Sequence, residues 1–269
     1  MCIEMVCRTD TGRIRQHNED CLGGDESLGL VALADGMGGY QAGEVASEMA
    51  VKIIIKQLYA SIKSLLHAKR RTSYRYHSAT VLLEQAVLKA NQAIYEMGEQ
   101  QARYQGMGTT VVAVLFHNHL MSVAHVGDSR LYRLRGNDFR QITKDHSVRQ
   151  ELIDCGLYTP EQARNSPNKN LVTRALGVGE QVDVEVQEER VLAQDIYLLC
   201  SDGLSDMLND SDMHSILCDA DTLEQAAQLL IDAANAKGGR DNISLVLVRP
   251  LSVAAKPRKG WLRRLFGRN

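Results

Sequence analysis

Five aspartates in this 269-residue chain sit where an apolar run begins, ends or turns. Leu30-Val31-Ala32-Leu33-Ala34 leads directly into Asp35-Gly36, and Tyr197-Leu198-Leu199-Cys200-Ser201 into Asp202-Gly203. Ala124-His125-Val126-Gly127 leads into Asp128, Gly239-Arg240 leads to Asp241-Asn242 ahead of Ile243, and Asp20 follows His17-Asn18-Glu19. A carboxylate at a strand end points into whatever cleft the sheet forms there. Several together would repel and raise one another's pKa. A hard divalent cation removes that penalty, and carboxylate, carbonyl and water oxygens suit Mg²⁺ or Mn²⁺. Glycine after Asp35 and after Asp202 lets backbone approach an ion closely or take a turn that other residues resist. One Asp-Gly pair alone reads as an ordinary turn. Five aspartates so placed read as a metal cluster.

Other chemistries lack their residues. There is no G-x-x-x-x-G-K-[ST] phosphate loop, no kinase set of glycine-rich loop, H-R-D and D-F-G, and no G-x-S-x-G elbow. No H-E-x-x-H pair exists and the eight histidines are dispersed. Cys2 to Arg8 formally fits the C-x₅-R spacing of thiol phosphatases. The intervening Ile3, Glu4, Met5 and Val6 offer no glycine for a phosphate cradle, so the match is read as coincidence.

The elements that must position the aspartates are short apolar runs, read as strands at 3–7, 28–34, 110–116, 120–126, 130–134, 182–186, 195–200 and 243–248. His117-Asn118-His119 reads as a hairpin turn. Apolar residues recur at helical spacing through 42–66 and 80–102, and two further helices read near 211–218 and 222–236. The order is strands, helix pair, strands, helix pair, strand, without a βαβ rhythm. It predicts an α+β fold with mainly antiparallel sheet. Residues 146–172 are polar and turn-rich and read as an inserted flap. Within and near it, His146 reads as structural, with Asp145 or Ser147 as helix cap.

Composition is that of a globular chain, 44% hydrophobic and 24% charged. A net charge of −2 argues against a generally basic nucleic-acid binder. The total hides an asymmetry. Residues 256–269 hold six of the 31 Lys and Arg and none of the 33 Asp and Glu, leaving 25 basic against 33 acidic residues, −8, on the rest. Six cysteines without CxxC spacing, no signal-peptide core at the N-terminus and no run of ~20 apolar residues point to a reduced, cytoplasmic protein.

With these residues in view, the chain resembles the metal-dependent Ser/Thr protein phosphatases of type 2C, the PPM family, in their bacterial form. The matching stretches run from Arg8-Thr9-Asp10-Thr11-Gly12 through Arg15-Gln16-His17-Asn18-Glu19-Asp20, then Ala34-Asp35-Gly36-Met37-Gly38-Gly39 with Ala42-Gly43-Glu44. They continue with Gly106-Met107-Gly108-Thr109-Thr110, Val126-Gly127-Asp128-Ser129-Arg130-Leu131-Tyr132 and Thr143-Lys144-Asp145-His146-Ser147. Thr173-Arg174-Ala175-Leu176-Gly177, Cys200-Ser201-Asp202-Gly203-Leu204 and Gly238-Gly239-Arg240-Asp241-Asn242 complete the order.

The resemblance implies a central antiparallel β-sandwich flanked by pairs of helices, with a metal cleft at one end. It spans a catalytic domain of residues 1–250, with the flap at about 146–172, and leaves a basic amphipathic tail at 251–269. Asp35 is implied as the carboxylate bridging two ions, with the Gly36 carbonyl as a further ligand. Asp202 and Asp241 fall on the first ion and Asp20 on the second, with Glu19 beside it. Asp128 with Asp202 matches a more weakly held third ion. Arg15 matches the arginine that grips the phosphate. Two ions ~3.5–4 Å apart can bridge a water and present hydroxide for in-line attack on phosphorus. Arg15 then offers a bidentate fork for the phosphoryl oxygens.

Two positions depart from the family pattern. Tyr40 stands where members often carry histidine after Gly-Gly, and tyrosine is the poorer acid for a leaving group at neutral pH. Met37 stands where the eukaryotic branch has histidine, which fits the bacterial form.

The expected activity is Mn²⁺- or Mg²⁺-dependent hydrolysis of phosphoserine and phosphothreonine in proteins, opposing a Ser/Thr kinase or acting on its targets. The alternative is a catalytically silent phosphoprotein-binding regulatory module on the same fold. The intact ligand set and Arg15 speak against that alternative, and Tyr40 alone favours it. A monomer is expected. Trp261, Leu262, Leu265 and Phe266 would form one apolar stripe on a helix among the six basic residues. Two readings of this tail stay open, a membrane-surface or acidic-partner contact and a frayed solubilising terminus.

Overall fold

The computed structural model describes residues 2–38, 42–65, 76–159, 162 and 171–251. Tyr40, the basic stretch Lys69-Arg70-Arg71 with Arg75, the flap residues 163–170 and the tail beyond residue 251 lie outside the described residues.

Strands and helices follow in the order β1 (Ile3–Asp10), β2 (Asp20–Asp25), β3 (Leu30–Met37), α1 (Ala42–Leu65), α2 (Ser78–Gln100), β4 (Gly108–Thr109), β5 (Val111–His117) and β6 (Leu120–Val126). Then come β7 (Arg130–Arg135), β8 (Asp138–Gln141), α3 (Val148–Asp154), β9 (Glu185–Arg190) and β10 (Ile196–Cys200). The chain closes with α4 (Asp202–Ser205), α5 (Asp210–Asp219), α6 (Leu223–Ala236) and β11 (Ile243–Pro250). One sheet has the order β1-β11-β10-β7-β8 and the other β2-β3-β5-β6-β9, with β4 pairing β3. Every described pairing is antiparallel.

The two-residue period of a strand sorts side chains between layers. On β3, Val31 and Leu33 face the space between the sheets, where they pack with Val112, Val114, Leu199 and Val246. Leu30, Ala32 and Ala34 face the opposite way, onto Ile54 and Leu58 of α1 and Leu83 and Val87 of α2. β11 does the same for the other sheet: Val246 and Val248 turn inward, while Leu245 and Leu247 pack on Leu230 and Ile231 of α6. The architecture is helices, sheet, sheet, helices. Both faces of each central strand are covered, which is why those strands read as continuous apolar runs. Phe116 and Tyr197 join the sheets edge to face at 5.3 Å between ring centroids.

Several expected boundaries are corrected. The strand expected at 182–186 is β9 at Glu185–Arg190, and β2 and β8 were not expected at all. All three are edge strands, where one side of the ladder is open and polar residues are tolerated. β2 reads as Asp-Cys-Leu-Gly-Gly-Asp, a turn composition. Its Gly23 is dictated by packing instead: a Cβ there would press within 2.8 Å of Ile55 on α1. The flap is not all loop. Its base is closed by a bridge between Ser147 and Val172, and it carries α3, whose N-terminus is capped by Ser147 Oγ accepting from the Gln150 N–H. No residue of α3 is buried, so no apolar stripe announced it. The hairpin turn falls as expected, with Asn118 in the left-handed region at φ 53°.

Candidate active site

Antiparallel pairing sets the first two aspartates opposite each other: Asp20 on β2 is in register with Asp35 on β3. Hydrogen bonds then fix Asp35 from its other side. The Thr110 N–H and the Thr109 hydroxyl both donate to the Asp35 carbonyl, at 2.9 and 2.8 Å. The two threonines are buried at the junction of β4 and β5. The next residue, Gly36, donates its N–H to the Glu19 carbonyl at 3.0 Å. A Cβ on Gly36 would collide with the Gly43 carbonyl at the start of α1, so only glycine lets these three segments meet.

The other sheet delivers Asp202 and Asp241. Asp202 opens α4 immediately after β10, and Asp241 precedes β11, the neighbour of β10. Gly203 lies against the Asn242 carbonyl, which a Cβ would strike, and this close approach brings the two aspartate segments together. Ser201 ties the sheets: its hydroxyl donates to Asp20 Oδ2 at 2.9 Å while accepting from the Ser244 N–H at 3.1 Å. Asn242 ties in the preceding loop. Its amide donates to the Thr11 and His17 carbonyls, at 3.0 and 2.9 Å, and its Oδ1 accepts from the Glu19 N–H at 2.9 Å.

Asp128 is buried in the turn between β6 and β7, where Gly127 takes φ 106°. Behind it stands a buried ion cluster. Asp145, 2% exposed, accepts from Arg130 Nη2 at 2.7 Å and from Arg149 Nη2 at 2.8 Å. Arg149 also reaches Asp206, at 3.3 Å. Burial alone would push Asp145 up, but the two arginines outweigh it and hold its carboxyl below the ordinary carboxylate value.

The aspartates feel one another. Burial first, then the charges of Asp20, Asp202, Asp128 and Asp241, push Asp35 well above the ordinary carboxylate range. Burial and then Asp128, Asp241, Asp206 and Asp20 do the same to Asp202. Asp20 is pushed up to about 7 by burial, against the opposing bonds of Ser244 and Ser201. Asp128 rises to about 6 by burial and by the nearby charge of Asp145. Asp20 Oδ1 is buried and has no hydrogen-bond partner. Protein interiors rarely leave such an atom unmatched. All-oxygen donors, mutual repulsion and an orphaned carboxylate oxygen fit hard divalent cations held by Asp20, Asp35, Asp128, Asp202 and Asp241, with Gly36 at the meeting point.

Arg15 lies at the edge of this cluster. Its Nη2 donates to Asp241 Oδ2 at 2.7 Å, and the side chain stays 53% exposed. The structure therefore brings all the expected site residues to one end of the two sheets. Asn242, Ser201 and the Asp145 cluster are further parts of the site that the residue patterns did not single out.

A second group of potential ligands, His125, His146 and Glu185, has nitrogen and oxygen atoms within 4.8 Å of one another. His125 Nδ1 is buried without a hydrogen-bond partner, while the other ring nitrogens of the group are engaged. His125 Nε2 donates to the Lys144 carbonyl at 2.9 Å. His146 Nδ1 accepts from the Gly127 N–H at 3.1 Å, so its proton sits on Nε2, facing Glu185. The rings stack at 4.7 Å and clamp the base of the flap onto β6. His146 thus has the structural role expected for it. Cys200 is a buried free thiol, with burial pushing its pKa up to about 12.

Comparison with known proteins agrees with this geometry. The family model described as protein phosphatase 2C matches residues 13–235. The chain is 40% identical over 244 residues to the serine/threonine phosphatase stp of Listeria monocytogenes, covering 90% of this chain and 93% of that protein. It superposes on the crystal structure of the Mycobacterium tuberculosis serine/threonine phosphatase PstP/Ppp with TM-score 0.80 and 36% identity, covering 93% of this chain and 99% of that one. A structure of the PstP catalytic domain in complex with two manganese ions matches with TM-score 0.78 and 35% identity, covering 92% and 97% of the two chains. The chain belongs to the protein phosphatase 2C family of metal-dependent protein serine/threonine phosphatases.

Proposed function

We propose that this chain hydrolyses phosphoserine and phosphothreonine in proteins at the aspartate cluster, using Mn²⁺ or Mg²⁺. The observation that carries the reading is the convergence of Asp20, Asp35, Asp128, Asp202 and Asp241, from both sheets, at one end of the sandwich. Asp35, central to the mutual repulsion, would be shared by two core ions, with Asp202 and Asp241 helping to hold one and Asp20 the other. Asp128 with Asp202 is assigned to a third, weaker site. Ions held there supply Lewis acidity that lets a water lose its proton near neutral pH, and positive charge against the phosphoryl oxygens.

The chain's own residues do the rest. Arg15 reaches over the cluster from an exposed loop and turns its planar fork toward two phosphoryl oxygens. Asn242 holds that loop by three hydrogen bonds to its backbone, so the fork is placed before substrate arrives. Ser201 keeps Asp20 aligned with the sheet that carries Asp202. In-line addition of water to phosphorus would form the new P–O bond as the bond to the serine or threonine oxygen breaks, with a proton taken up from solvent by that oxygen, giving inorganic phosphate and the free hydroxyl side chain. The catalytically silent alternative finds no support: a pure binding module has no use for a complete set of ligands.

Residues 1–250 are taken as the catalytic domain and 251–269 as an appended basic tail, read either as a membrane-surface or acidic-partner contact or as a frayed solubilising terminus. Support for a cytoplasmic location comes from the six cysteines, all free thiols; a Ser/Thr kinase is proposed as the opposing activity. No helix among the described residues is long and apolar enough to cross a membrane.

The test is reconstitution. Protein stripped with chelator should release no phosphate from a phosphothreonine peptide and should recover on adding Mn²⁺ or Mg²⁺. Calorimetry should count two tight ions per chain, with a weaker third. Full activity after stripping would overturn the assignment.

A further inference from the structure

Two exposed arginines flank the phosphate-gripping Arg15 and play no part in the site described above. Arg13 lies two residues before Arg15, and Arg240 immediately precedes Asp241, the carboxylate that Arg15 touches. The two loops that carry them are joined. The Arg13 N–H donates to the Gly239 carbonyl at 2.7 Å, and a Cβ on Gly239 would stand 2.9 Å from Arg13 Cγ. Gly12 packs against the Gly239 and Asp241 carbonyls at φ 80°, a backbone state that favours glycine. This fusion holds the arginine backbones in place around the phosphate position.

The nearby carboxylates are already engaged. Asp10 Oδ1 accepts from the Gly12 N–H at 2.8 Å and from Asn235 at 3.1 Å. Asp241 pairs with Arg15, and Glu19 faces the metal cluster. Neither Arg13 nor Arg240 has an ion pair among the described residues. Elsewhere on this chain arginines are commonly paired: Arg130, Arg133, Arg135, Arg149 and Arg174 all hold acids. Two unpaired arginines bordering an otherwise acidic cleft make a local positive rim on a body that is −8 outside its tail.

We propose that Arg13 and Arg240 form a basic collar that selects phosphoproteins carrying a second anionic group, a carboxylate or another phosphate, close to the scissile phosphate. The proposal rests on the phosphatase reading and refines its substrate class. The spacing follows from chain geometry. A two-residue step spans at most about 7 Å between Cα atoms. An extended substrate held by Arg15 therefore brings residues about two to three positions from the phosphorylated one within reach of the collar. Arg13 and Arg240 contact no reacting atom. They act on binding and encounter, so the effect falls on kcat/KM through KM and weakens with salt.

The experiment uses the full-length chain loaded with Mn²⁺ and two phosphothreonine peptides of equal length. One has neutral flanks and the other has aspartates two residues to either side. Turnover of p-nitrophenyl phosphate, which has no flanks, reports the chemistry alone. The parent should favour the acidic peptide by about three- to tenfold in kcat/KM at low salt, with the preference shrinking at high salt. Arg13→Gln/Arg240→Gln should erase the preference and leave the neutral peptide and the small ester unchanged, while Arg13→Lys/Arg240→Lys should keep most of it. Equal use of both peptides by the parent, or a preference that survives the glutamine double variant, would overturn the collar while leaving the phosphatase reading intact. Absence of turnover on the small ester and on both peptides would overturn the phosphatase reading and the collar with it.

Discussion

Removing the metal ions and changing the pH should reveal the aspartate cluster directly. In the ion-free fold Asp20 titrates near 7 and Asp128 near 6, both above the ordinary value of 3.8. A group raised in this way stabilises the fold fully below its unfolded pKa, about 4, and that contribution is lost as pH rises through its folded pKa. Ion binding has the opposite sense, because each ligand must first lose its proton. Below the folded pKa, each such proton weakens ion binding about tenfold per pH unit. At about pH 5, the site containing Asp20 is therefore weakened about 100-fold relative to pH 8. Let free Mn²⁺ be fixed at about 100 times the dissociation constant measured at pH 8. The ion held by Asp20 then adds about 2.7 kcal/mol at pH 8 and about 0.4 kcal/mol at pH 5. For a chain of this size that is about 5–11 °C in Tm per ion at pH 8 and under about 2 °C at pH 5. Thermal melts of stripped protein, with and without Mn²⁺ across this range, make the comparison. An ion-induced shift of equal size at both pH values, or none at pH 8, would refute the coupling between these carboxylates and the ions.

Asp145→Asn keeps the shape of the buried ion cluster, leaves Arg130 without its counter-charge and leaves Arg149 with Asp206 alone, a cost of about 3–5 kcal/mol. Its Tm should fall by about 6–20 °C, and a fall below about 3 °C would show that the cluster contributes little. Gly203→Ala forces the Asp202 turn away from the Asn242 carbonyl, and a misplacement of about 1 Å should lower kcat about 100-fold. Wild-type kcat in that variant would show that the close approach is not needed. Asn242→Ala frees the loop that carries Arg15. At about 1 kcal/mol for each of three hydrogen bonds, its Tm should fall by roughly 6–12 °C, and its KM for phosphopeptide should rise. An unchanged KM would argue against a positioning role.

Much of this architecture was legible in the residues because the central strands are buried on both faces. β3, β5, β6, β10 and β11 present near-continuous apolar runs whose ends are marked by Asp35, Asp128, Asp202 and Asp241. The edge strands β2 and β8 were not legible and β9 was read only with shifted bounds, since an edge needs no apolar run and β2 carries the two glycines of a turn. The helix in the flap was half legible: Ser147 reads as a candidate helix cap and does cap α3, but α3 buries nothing, so no apolar stripe gave its extent. The supports of the site were hidden by distance along the chain. Ser201 meets Asp20 across 181 residues, and Asn242 meets Glu19 across 223. No local pattern signals a bond of that separation. The dipeptide Asp241-Asn242 ahead of an apolar strand was the only available cue.

The account stands on Asp202, which opens α4 from one sheet and is pressed by carboxylates from both. Phosphate release from a phosphothreonine peptide should be measured at saturating Mn²⁺ for the parent and for Asp202→Asn, with the fold of both checked by circular dichroism. Ready turnover by the parent, and a loss of at least about 100-fold in a folded Asp202→Asn protein, is the predicted result. No turnover in the parent, or undiminished turnover in the variant, would contradict a metal centre built from these five aspartates.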